Sequence, residues 1–73
     1  MNGKAKKYLD LVADKARNIL GDVNNIFNDL EEVESYEDTF VIDSTLERIQ
    51  REAKDALYYL RNAEDYFTEG ENK

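Results

Sequence analysis

Carboxylates are the side chains with which this chain could do chemistry: it has seventeen, against ten lysines and arginines, and no histidine or cysteine. Lack of imidazole removes the commonest general base and transition-metal ligand, and lack of thiols removes disulfides and thiolate metal sites. Paired carboxylates can support acid–base hydrolysis, but that requires a pocket, and the elements derived below offer none. Glu34, Glu37, Asp38 and Asp43 lack the alternating acids and central glycine of a calcium-binding loop. The expectation is a non-enzyme with no catalytic residue, no metal and no cofactor.

Recognition is what remains for these groups, and their distribution supports it. Of the net charge of −7, residues 1–17 contribute +3, residues 18–47 contribute −9 with no basic side chain, and residues 48–73 contribute −1. The stretch 29–47, DLEEVESYEDTFVIDSTLE, holds eight carboxylates. Such a surface is repelled by nucleic acid and by anionic membrane and steers encounters toward basic proteins. Lysine and arginine pair with carboxylate or phosphate alike, so the partner class includes nucleic-acid-binding enzymes, and the chain would then act as a nucleic-acid mimic of the kind found in small acidic proteins of mobile elements. The expected docking residues are Glu31, Glu32, Glu34, Glu37, Asp38 and Asp43, joined by Tyr36 and by Tyr58, an outward-facing aromatic of the type common at interfaces.

Two helices must position this stretch. Ala5, Leu9, Val12, Ala16, Ile19, Val23, Ile26, Leu30 and Val33 follow a 4-3-4-3 spacing, which predicts one helix over about residues 4–35. Gly21-Asp22 is the place where it could break, giving a three-helix bundle, but the rhythm passes through without losing phase. Between residues 36 and 44 the periodicity stops. The mixture of acids with Phe40, Val41 and Ile42 predicts an extended acidic connection, with Phe40 and Ile42 folding back over the end of the core.

Ser44-Thr45-Leu46-Glu47 has the form of a capping box and predicts the start of a second helix over about residues 45–69, ended by Gly70. In that case Asp43 and Glu47 gain from the helix dipole, whereas Glu31, Glu32 and Glu34 oppose it at the end of the first helix. Leu46, Ile49, Ala53, Ala56, Leu60, Ala63 and Phe67 carry the second apolar stripe. Charge pairs four apart, Glu47/Arg51, Arg48/Glu52, Arg51/Asp55 and Arg61/Asp65, are expected on the outer face. Tyr8, Tyr59 and Tyr66 flank the seam and shield its edge.

The short connection requires an antiparallel pair, so the fold class is all-α: a single domain over residues 1–73 built as a long helical hairpin. Lys4, Lys6 and Lys7 should then lie near Glu64, Asp65, Glu69 and Glu71. Ala13, Leu20, Phe27 and Leu57 widen the stripes beyond what two helices need, which predicts self-association into a four-helix-bundle homodimer. A structural self-associating module without an inhibitory role is the alternative reading. No apolar run approaches the roughly 20 residues of a membrane span, and the N-terminus lacks the apolar block of a signal peptide, so a soluble, cytoplasmic protein is expected.

Overall fold

The computed structural model describes residues 3–71, with side chains up to residue 68. It is an all-α hairpin: α1 spans Gly3–Glu31, a 3-10 turn spans Tyr36–Asp38, and α2 spans Thr39–Glu71. The two helices pack along their length into a rod with extents of 59 × 14 × 11 Å. Helix α1 is continuous through Gly21, which excludes the three-helix alternative. The 3-4 repeat keeps its phase there because every turn on either side rests on the same neighbour.

The connection is shorter than the sequence suggests. Helix α1 stops at Glu31 instead of near residue 35, since the amides of Glu32 and Val33 bond to carbonyls three residues back, Asp29 (3.0 Å) and Leu30 (3.5 Å), and tighten the last turn. The extended segment expected at 36–44 is helical. Asp38 Oδ2 accepts the Ser35 amide at 3.0 Å and the Glu34 amide at 2.9 Å, which fixes the turn from which α2 grows. Ser44 and Glu47 therefore lie inside α2, and their capping pattern is a decoy. Thr39 Oγ1 donates to the Tyr36 carbonyl at 2.6 Å, and buried Thr45 donates to the Val41 carbonyl at 3.0 Å, so both hydroxyls are satisfied within the helix start.

Phe40 does not fold back over the core but stays exposed, edge-on to Tyr36 with ring centroids 5.2 Å apart, while Ile42 is half-buried in the seam. At the other end α2 runs through Gly70 to Glu71. The side chains of Glu69 and Glu71 lie outside the described residues. Lys6 pairs within its own helix, with Asp10 at 3.1 Å.

The seam between the helices carries a mixed set of side chains. On α1 the half-buried or buried row is Ala5, Tyr8, Val12, Lys15, Ile19, Asp22, Ile26 and Asp29; on α2 it is Ile42, Thr45, Ile49, Glu52, Ala56, Tyr59, Ala63 and Tyr66. Both rows keep the 3-4 rhythm, yet each includes polar members. Ala5 and Ala63 are fully buried, which lets the backbones approach closely at the open end, and among the described residues no large side chain is fully buried. Tyr8 stacks on Tyr66 with centroids 5.9 Å apart and lies tilted against Tyr59 at 6.3 Å, and Lys4 Nζ sits 5.6 Å from the centre of the Tyr66 ring. The expected tyrosine edge is thus part of the seam.

Among the described residues, the ion pairs made by α2 cross the seam to α1 instead of decorating its outer face. Asp22, almost fully buried, takes a two-pronged contact from Arg48, Nη2 at 2.8 Å and Nε at 3.2 Å, and Lys15 reaches Asp55 at 3.4 Å. Those partners replace the Arg48/Glu52 and Arg51/Asp55 pairs expected from spacing. The Arg48 guanidinium holds the Asp22 carboxyl below its ordinary range. Glu52 lies beside this pair, and its Oε2 is buried and, among the described residues, has no hydrogen-bond partner.

Candidate functional site

The end of the rod that carries the connection is the acidic one. Glu31 closes α1, Glu32 and Glu34 follow it, Glu37 and Asp38 form the 3-10 turn, and Asp43 stands in the second turn of α2. All are exposed, and among the described residues none has a lysine or arginine within ion-pair distance. A basic residue is also absent from the last turn of α1. Asp29 and Glu31 thus face the negative end of the α1 dipole uncompensated.

The start of α2 at Thr39 revises the dipole bookkeeping. Glu47 is the ninth residue of α2 and Asp43 the fifth, too far in for the effect, which fades within the first turn. Glu37 and Asp38, just ahead of α2, occupy the favourable place. Asp38 is held below the ordinary carboxylate range by the amides of Glu34 and Ser35. That carboxylate is committed to the turn, leaving Oδ1 for an outside partner.

Folding brings Asp29, Glu32, Glu37 and Asp38, with Val41, around a shallow hollow of about 170 Å³. The sequence does not single out Asp29; it joins the hollow because it stands in the half-buried seam row, seven residues beyond Asp22, at the end of α1. Among the described residues no group of three or more acidic side chains is arranged to hold a metal ion. The hollow is open and anionic, suited to receiving a lysine or arginine side chain.

The two predicted aromatics part company. Tyr36 is 78% exposed at the acidic end, where its ring and that of Phe40 form an apolar ledge beside the carboxylates. Tyr58 is 65% exposed but stands fifteen residues beyond Asp43, about 22 Å along the helix. It rests edge-on against Tyr59 at 5.9 Å and shares a shallow groove with Lys54, Leu57 and Arg61, a basic neighbourhood separate from the acidic end.

The self-association set lies on one side of the rod. Ala13, Leu20, Phe27 and Leu57 each follow a seam residue by one position, and Leu20 and Phe27 are 61% and 62% exposed. Among the described residues no helix is long and apolar enough to cross a membrane. What the geometry defines is a helical hairpin with an uncompensated acidic end and an uncovered apolar side. No family model, curated protein or solved structure matches the chain.

Proposed function

We propose that the chain is a non-enzymatic protein-binding module of the cytoplasm whose acidic end docks on a basic surface of a partner and inhibits or regulates it. The observation that carries this reading is the cluster of Glu31, Glu32 and Glu34, exposed and, among the described residues, without a cation in ion-pair distance, at and just beyond the end of α1 where backbone electrostatics disfavour negative charge, with Glu37 exposed in the turn that follows. Stability alone would place lysine at the end of α1. Asp29, Glu32 and Glu37 around the hollow give a cationic side chain several acceptors at once, and Tyr36 with Phe40 adds apolar contact beside them. A surface evolved to bind phosphates offers the matching charge, which makes nucleic-acid-binding enzymes the partner class most consistent with the site.

Affinity capture tests the proposal, comparing the native chain with a Glu31→Gln, Glu32→Gln, Glu34→Gln variant. A true partner is a basic protein, is released as salt rises from about 0.05 to about 0.5 M, and is recovered poorly by the variant. If both chains recover the same proteins in equal amounts, the acidic end has no part in binding. A captured nucleic-acid-binding enzyme should also lose its nucleic acid to the native chain in competition.

A further inference from the structure

The apolar stripes do not point at the seam. On α1 the stripe shares Val12, Ile19 and Ile26 with the seam row but replaces Lys15, Asp22 and Asp29 by their successors Ala16, Val23 and Leu30. On α2 it shares Ile49, Ala56 and Ala63 and replaces Thr45, Glu52 and Tyr59 by Leu46, Ala53 and Leu60. One residue is 100° of turn, so exchanging every second member swings the centre of each stripe by about 50°. In antiparallel helices a step of one residue turns both toward the same side of the hairpin. The axis of a square four-helix bundle lies about 45° off the line joining two neighbours, so both stripes aim at a bundle axis that one hairpin does not possess.

We infer that a second copy of this chain covers that side, completing a four-helix bundle in which the acidic ends lie at opposite ends of the rod. Size agrees: a side 59 Å long and 14 Å wide is about 800 Å², what each partner contributes to a standard stable interface. Its exposed members, Leu20, Phe27, Leu46, Leu57, Leu60 and Phe67 among them, exceed what a single soluble hairpin leaves uncovered. The reverse side is mostly hydrophilic: Lys7, Asp14, Asn18, Asn25, Arg51 and Asp65 are all exposed there, and Leu11, Val41 and Tyr58 are scattered among them without forming a continuous stripe. Charge sets the direction. Side by side in the same sense, two stretches of eight carboxylates would meet, whereas in the opposite sense each lies toward the end built from residues 1–17 and 48–73, which carry +3 and −1.

This inference does not depend on the docking role proposed above. Light scattering on the full chain at about 20 μM should give twice the 8.5 kDa monomer mass; a monomer or a higher oligomer overturns the proposal. The chain has no cysteine, so a Glu37→Cys variant takes one spin label per copy at the acidic end. Dipolar spectroscopy should then find the pair separated by roughly the rod length of 59 Å. A dimer with the labels within about 25 Å has the acidic ends together and refutes the arrangement. A Leu20→Glu, Phe27→Glu variant should weaken the dimer at least about a hundredfold, because it buries unpaired charge. Asn25→Glu, on the reverse side, should leave the mass unchanged, and equal weakening by both would refute the assignment of the face even if the double variant also loses helix.

Discussion

Replacing Gly21 by alanine should stabilise the protein, and the size of the gain follows from the local geometry. The residue lies in the interior of α1 with φ in the range open to any residue, it is exposed, and a methyl group built there meets nothing within 4 Å. No clash offsets the benefit and no new packing adds to it. What is left is the backbone entropy that glycine loses on entering a helix, about 0.8–1 kcal/mol relative to alanine. For a domain of this size that raises the melting temperature by about 4–8 °C. If two hairpins unfold as a pair, the free energy and the unfolding entropy both double and the shift is unchanged. Far-UV circular dichroism measures it, at one fixed protein concentration because melting of an associating chain depends on concentration. Gly3→Ala is the control: its site is equally open but is the first residue of α1, where the helix constrains the backbone least, so its effect should be much smaller. A melting point for Gly21→Ala that is unchanged or lower, with loss of helical signal, would mean that α1 is broken at Gly21 and that the apolar rows on its two halves do not share one side.

Two further outcomes are expected. Ala63→Leu should destabilise by about 1–3 kcal/mol in urea unfolding, because the residue is fully buried between the helices and a larger side chain must push them apart. Asp38 and Asp22 should titrate below the usual carboxylate range near 3.9, the first through the Glu34 and Ser35 amides and the second through Arg48. Their folded values are depressed, so their stabilising contribution is complete above the unfolded value and disappears as pH falls through the folded one. Residue-resolved carboxyl NMR checks this separately from global stability, since protonating the crowded acidic end relieves repulsion and acts in the opposite direction. Ordinary midpoints for both would refute the two hydrogen-bonded arrangements.

The sequence made the helices legible because apolar spacing is a strong signal, and the uninterrupted phase through Gly21 identified one long α1. It misplaced the connection for two physical reasons. Ser44-x-x-Glu47 matches a capping box but lies in mid-helix, whereas Ser35 with Asp38 at the third place is the one used. Thr39, Phe40, Val41 and Ile42 have strand-like propensities that tertiary contact overrides, and Ile42 belongs to the same 3-4 row as Thr45 and Ile49, a continuation that was visible in the spacing. The acidic end was legible as composition. Its hollow was not, because only the true helix ends decide that Asp29 and Glu32 face Glu37 and Asp38. Counting apolar residues alone also hid the seam, whose members include Lys15, Asp22 and Glu52.

Polar residues in that seam set the register on which everything else depends. Asp22 with Arg48 and Lys15 with Asp55 obey the same alignment, each pair of residue numbers summing to 70. Sliding α2 by one heptad in one direction would keep the apolar residues in the middle of the stripe beside one another but set Lys15 opposite Arg48. Sliding it the other way would set Asp22 opposite Asp55. An all-apolar seam would not distinguish these states, since alanine, isoleucine and valine pack acceptably seven residues out of step. Like charges at the half-buried edge of a seam are unfavourable, and Asp22 without its guanidinium would be a nearly buried charge left unpaired. The pairs therefore act by excluding slipped hairpins more than by adding stability. A slip of seven residues is about 10 Å along the rod, enough to separate the end of α1 from the 3-10 turn, dismantle the hollow and leave the apolar rows of the two helices out of level with one another.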